Sequence, residues 1–128
     1  MIARLHGKLL EKRLGQLLVD VNGVGYEVFI AMPTYSVTPD PGADVILDIY
    51  THIREDVIQL YGFATRLEKM IFERFTNISG IGPRLAMTIL SGSSVEDLIA
   101  SIKKNDLARL TRIPGVGKKT AERILLEL

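Results

Sequence analysis

Apolar residues recur along this chain with two different periods, and the change from one to the other falls near residue 64. In the first half, "GQLLVDV" and "YEVFIAM" are short β-rich runs separated by "NGVG". "DVILDIYTHI" alternates Val45, Leu47, Ile49, Thr51 and Ile53 with the residues between them, and "VIQLYGF" is a further run. Asn22-Gly23 signals a hairpin because both residues tolerate positive φ, "TPDPGAD" is a loop, and Glu55-Asp56 sit where a second hairpin turns. About five short strands in some 64 residues predict a small antiparallel barrel, since closing a sheet protects its edges. An OB-like barrel is the preferred topology, with an SH3-like barrel as the alternative.

From Arg66 the period lengthens to that of helices. "RLEKMIFERF" places Leu67, Met70, Ile71 and Phe75 on one predicted face. Ser93 with Glu96 has capping-box spacing and opens a helix expected to bury Leu98, Ile99 and Ile102. Asn105 is the expected cap of a short "DLARL" helix, and the last run is expected to bury Ala121, Ile124, Leu125 and Leu128. The pattern therefore predicts an α+β chain of two domains: a barrel over 1–64 and an all-α domain over 65–128.

The helical half also repeats itself. "RFTNISGIGPRLAMTILS" (74–91) aligns without gaps on "RLTRIPGVGKKTAERILL" (109–126), with identity at 8 of 18 positions. Each copy reads helix, apolar-x-Gly-apolar-Gly, helix. The first glycine allows a tight reversal, while the second removes a side chain that would hold a ligand away from the backbone. The next helix then starts with unpaired N–H groups, a place that favours an anion such as phosphate. Pro83 suits a first turn, and Arg84, Lys118 and Lys119 add positive charge there, with Arg123 one turn further along as a further expected phosphate ligand.

Charge supports a polyanionic partner for this half alone. Residues 1–64 carry five basic against eight acidic residues, a net of −3, whereas residues 65–128 carry eleven against seven, a net of +4. The overall +1 conceals this asymmetry. Contacts of this kind go to phosphates, so sequence-independent, salt-sensitive binding is expected.

Other chemistry fares poorly. "GVGKKT" resembles the end of a nucleotide-binding P-loop, but Arg112 stands where that motif needs glycine and Lys119 where it needs Ser or Thr. Neither glycine pair continues as a dinucleotide fingerprint. With no cysteine and only His6 and His52, a metal site is not expected, nor is a nucleophile with its base, so the chain reads as a non-enzyme without cofactor. No apolar run approaches the roughly 18 residues of a membrane span, and "MIARLHGKLL" is too charged for a signal peptide, so a cytoplasmic location is expected. Phe29, Tyr35, Tyr50 and Tyr61 suit core packing or subunit contacts better than base stacking.

The two hairpins, "GIGPRLA" and "GVGKKTA", resemble the helix-hairpin-helix motif of DNA repair and recombination proteins. Together with "MIARLHGKL", "VNGVGYEV" and "THIREDVIQLYGF", in this order over all 128 residues, the chain resembles the RuvA family of bacterial Holliday-junction branch-migration subunits. That resemblance implies an N-terminal OB-fold followed by tandem helix-hairpin-helix motifs. It implies a homotetramer, with an octamer on DNA as the alternative, that holds a four-way junction open and loads the hexameric RuvB ATPase. It assigns phosphate contacts to Gly80, Gly82 and Arg84 and to Gly115, Gly117, Lys118 and Lys119, and an acidic pin to Glu55 and Asp56. Family members continue into a third domain that docks on the motor; the chain stops at Leu128 without a glycine or asparagine cap, so that domain is expected to be missing. The DNA-binding end of a repair nuclease or ligase, and a pure protein-interaction module, remain the alternatives.

Overall fold

The computed structural model describes residues 1–128, which pack as two compact units, 1–69 and 70–128. The first unit runs through β1 (Arg4–Arg13), β2 (Gln16–Val21), β3 (Val24–Ile30), a short helix α1 (Met32–Val37), β4 (Asp44–Ile53) and β5 (Ile58–Phe63). Its strands pair in the order β1-β2-β3-β5-β4, and β4 returns to β1, so the barrel is closed.

This is a five-stranded OB-type barrel. It is not wholly antiparallel as the sequence suggested, because β3 and β5 run parallel, pairing Val28 with Leu60, Phe29 with Tyr61 and Ile30 with Gly62. The reason is topological: α1 and β4 lie between these strands in sequence, and a long connection of that kind lets β5 return alongside β3 in the same direction. Gly62 permits the close approach, since a Cβ there would lie 2.5 Å from Val28 Cγ1.

Inward residues of all five strands make the core, among them Leu5, Leu9, Leu17, Val19, Val28, Ile30, Val45, Leu47, Ile49 and Leu60. Thr51 continues the inward alternation on β4, but Ile53 is exposed, being the last residue of the strand before the β4–β5 turn. Asn22 (φ 52°) and Gly23 (φ 90°) both adopt the positive φ that a tight hairpin requires. The run "YEVFIAM" ceases to be a strand at Ile30, and Ala31 caps α1, which has proline in its first turn.

Helix α2 (Arg66–Thr76) begins on this unit with a threonine side-chain cap absent from the sequence-based expectations. The Glu68 N–H donates to Thr65 Oγ1 at 3.2 Å, while the Glu68 side chain turns inward to accept from Thr34 Oγ1 at 2.9 Å. Thr34 Oγ1 in turn accepts from the Ala64 N–H at 3.0 Å. Burial pushes the Glu68 carboxyl above its ordinary range, and the hydroxyls of Thr34 and Thr65 oppose that shift. Because these partners admit a carboxylate, the buried stripe of α2 is Glu68, Ile71, Phe72 and Phe75, and Leu67 and Met70 of the predicted face are exposed.

The second unit is all-α, adding α3 (Pro83–Ser91), α4 (Val95–Lys103), α5 (Leu107–Thr111) and α6 (Lys118–Glu127). Ser94, not Ser93, caps α4, accepting from the Asp97 N–H at 3.1 Å. Asp106, not Asn105, caps α5, accepting from the Arg109 N–H at 3.1 Å. Asn105 instead takes φ 55°, the left-handed conformation that ends the preceding helix. Val95, Leu98, Ala121 and Ile124 are buried, while Ile99, Ile102, Leu125 and Leu128 are half-buried. No single helix is long and apolar enough to cross a membrane.

Candidate nucleic-acid interface

The two copies of the repeat close their turns and enter the following helices with equivalent backbone bonds. In the first, Ile78 N–H donates to Phe75 O, Ile81 N–H to Ile78 O, and Ala86 N–H to Gly82 O, all at 3.0 Å. In the second, Ile113 N–H donates to Leu110 O at 3.2 Å, Val116 N–H to Ile113 O at 3.0 Å, and Ala121 N–H to Gly117 O at 2.9 Å. Each reversal is thus a four-residue turn with glycine in third place, Gly80 at φ 93° and Gly115 at φ 87°. A positive φ at that place is the type II pattern, which a side chain strains. Ile78, Ile81 and Val116 are buried and Ile113 is half-buried, fastening each turn to the helices behind it.

The second glycine of each copy has a different reason. Gly82 (φ −91°, ψ 178°) and Gly117 (φ −85°, ψ 179°) are the N-caps of α3 and α6 in extended conformations that any residue adopts. A Cβ at either position would meet nothing within 4 Å. Neither backbone strain nor packing calls for glycine there, and a serine or aspartate would cap the helix better. The same unit caps α4 and α5 with the side chains of Ser94 and Asp106, whereas α3 and α6 have no side-chain cap. Two helix N-termini therefore present free N–H groups across an open surface where the dipole favours an anion.

Cations surround these N-termini. Pro83 and Arg84 open α3, and Lys118 and Lys119 open α6; Arg84, Lys118 and Lys119 are exposed. None of the three has a carboxylate in ion-pairing range, because the two ion pairs in the chain are Arg13 with Glu11 and Arg109 with Asp97.

Each turn also touches the opposite copy. Arg123 Nη1, on α6, donates to Ser79 O in the first turn at 2.9 Å. Leu85 Cδ1, on α3, lies 3.0 Å from where a Cβ on Gly115 would stand in the second. The predicted cluster is thereby brought together within one unit, except that the Arg123 guanidinium has a partner inside the protein. Ser79 and Leu85 went unnoticed in the sequence, since nothing in a linear repeat shows which side chains span the two copies.

Glu55 and Asp56 belong to the other unit. They are the two central residues of the β4–β5 turn, closed by Arg54 N–H to Val57 O at 2.8 Å. Both are exposed. The Arg54 guanidinium donates through Nε to His52 Nε2 at 3.0 Å, and neither acidic residue forms an ion pair. The turn carries two uncompensated negative charges at its tip. His52 stacks on Tyr50 with ring centroids 6.4 Å apart, a structural use for a histidine with no nucleophile beside it.

Comparison with known proteins follows this division. Residues 1–62 match the family model described as RuvA N terminal domain, and residues 72–128 match the SAM-like helix-hairpin-helix tandem. A protein of Solibacter usitatus is 54% identical over 128 residues, covering all of this chain and 65% of that protein. One from Acidobacterium capsulatum is 52% identical with the same coverage, and one from Janthinobacterium sp. is 53% identical with 67% of its length covered. Each is named Holliday junction branch migration complex subunit RuvA. The chain spans about 65% of the length of the first of these relatives.

Proposed function

The chain belongs to the RuvA family of Holliday junction branch migration complex subunits, and from that premise we propose that it binds four-way DNA junctions and holds them open for branch migration. The observation that carries this reading is the pair of α3 and α6 N-termini, capped by glycines with open space before them and flanked by exposed cations. Gly80, Gly82 and Arg84 hold one stretch of phosphates; Gly115, Gly117, Lys118 and Lys119 hold another. Two such grips a fixed distance apart suit the backbones of a duplex arm. Phosphates position a protein without reporting sequence, so selectivity comes from the shape of the DNA.

That shape has four arms, and a homotetramer offers one copy to each. A second tetramer on the opposite face would enclose the junction as an octamer. Glu55 and Asp56 act as a pin near the symmetry axis, where like charges repel the phosphates of strands crowding the crossover and favour their exit along the arms. The protein itself is a DNA-binding subunit, not an enzyme; the work of migration falls to the ATPase RuvB. A nuclease or ligase origin is disfavoured, because full-length relatives match across the entire chain.

The test is affinity for a synthetic four-way junction and for duplex of equal length, each at two salt concentrations. A junction preference with steep salt dependence is expected. Equal binding to both would reduce the chain to a general duplex binder, and binding indifferent to salt would reassign the hairpins to a protein partner.

A further inference from the structure

We infer that Arg123 is a positioning residue rather than a phosphate ligand: it locks the first hairpin turn, doing for Ser79-Gly80 what Pro114 does for the second turn. The inference rests on the reading of the hairpins as phosphate grips and revises the place of one cation in it.

In a type II turn the second residue needs a φ near that of proline, and the third needs a positive φ. The second copy meets both needs covalently, with Pro114 second and Gly115 third at φ 87°. The first copy has Ser79 second and Gly80 third at φ 93°, so the same turn lacks the ring that would hold it. Serine leaves φ of the second residue unfixed, so the first turn is not pre-set ahead of its central peptide.

Arg123 supplies a constraint one bond further along, at the central peptide. Its Nη1 donates to the Ser79 carbonyl at 2.9 Å and stands 3.9 Å from where a Cβ on Gly80 would be. The Ser79 carbonyl belongs to the central peptide of the turn, so a bond to it opposes rotation of that peptide. An ionised donor strengthens the bond. Position 88 is the counterpart of 123 in the first copy, and it is threonine, whose hydroxyl returns to Arg84 O within its own helix at 3.2 Å. The second turn, already fixed by proline, receives no matching donor and packs on Leu85 instead. The guanidinium is present for the turn that needs it. Arg84, Lys118 and Lys119 differ in having no partner within the chain.

The test compares the wild-type chain, Arg123→Met, and Arg123→Met combined with Ser79→Pro. Junction affinity is measured across a salt series, and amide exchange at Ile81, whose N–H closes the first turn, is measured without DNA. Arg123→Met is expected to lose about fivefold to tenfold in affinity with the salt slope unchanged, and to exchange faster at Ile81. Adding Ser79→Pro is expected to restore both. A slope shallower by about 0.9 with no rescue by proline makes Arg123 a phosphate ligand and overturns the inference. Unaltered exchange at Ile81 in Arg123→Met also overturns it. If the wild-type chain itself shows no salt-dependent DNA binding, the phosphate-grip reading fails, and the exchange measurement still decides the role of Arg123.

Discussion

Thr34 Oγ1 donates to the carboxylate of Glu68 at 2.9 Å across 34 positions of sequence, fastening the first turn of α2 to α1 of the barrel unit. The same hydroxyl accepts from the Ala64 N–H, so one side chain serves both the strand exit and the helix entry. Thr34→Val keeps the shape and removes both bonds, leaving a buried carboxylate underpaired. A loss of about 2 kcal/mol is expected in urea unfolding.

Glu68 also predicts a pH dependence. Its folded-state pKa lies above the ordinary 4.5, so the folded state takes up a proton before the unfolded state does. This group's favourable contribution is complete below 4.5 and is lost as pH rises through the raised value. Glu68→Gln, which cannot ionise, is expected to be more stable than wild type at neutral pH. The gap should close as pH falls towards 4.5, read from urea midpoints along a pH series.

The first glycine of one hairpin and the second glycine of the other should respond oppositely. Gly80→Ala forces a side chain into φ 93° and is expected to cost about 1–2 kcal/mol. Gly117→Ser meets open space and extended backbone, adds a cap to α6, and is expected to raise stability by a few tenths of a kcal/mol. Junction affinity should nevertheless drop by about tenfold in Gly117→Ser, because the hydroxymethyl stands where a phosphate approaches. Melting curves and titrations on the same samples separate the two effects.

Lys118→Met removes an exposed, unpaired cation from the N-terminus of α6. The slope of log affinity against log salt is expected to become shallower by about 0.9, equally for every DNA sequence tried. An unchanged slope would remove Lys118 from the phosphate contacts.

Replacing Glu55 and Asp56 by Gln and Asn should change stability by less than about 0.5 kcal/mol, since both are exposed at a turn closed by backbone bonds. Junction geometry is the informative readout. Energy transfer between dyes on adjacent arms is expected to report loss of the open form, and an unchanged open form would remove the pin from the mechanism.

Much of this was legible in one dimension. The duplicated hairpins stood out because an insertion-free repeat preserves spacing, and the left-handed glycines at 80 and 115 are where that repeat requires them. The barrel was legible from period-2 runs, whose inward residues form its core. The parallel β3–β5 pair was not, because periodicity records which face a residue shows and not which strand lies beside it. The stripe of α2 was misjudged by counting apolar residues, since Glu68 takes an inward position only where Thr34, distant in sequence, can meet it. Caps at Ser94 and Asp106 fell one residue from Ser93 and Asn105 because neighbouring polar residues are equivalent as letters, and only backbone dihedrals distinguish them.

By itself, then, the sequence determined the elements, the repeat, and the types of residue gathered at each hairpin, all of which depend on local conformational preference and spacing. Tertiary structure alone decided that Arg123 faces the Ser79 carbonyl while Lys118 and Lys119 are left without a partner. The physical reason is that a charged side chain has the same local preferences whether it braces its own protein or reaches for a ligand; the difference lies in which acceptor the fold carries to it.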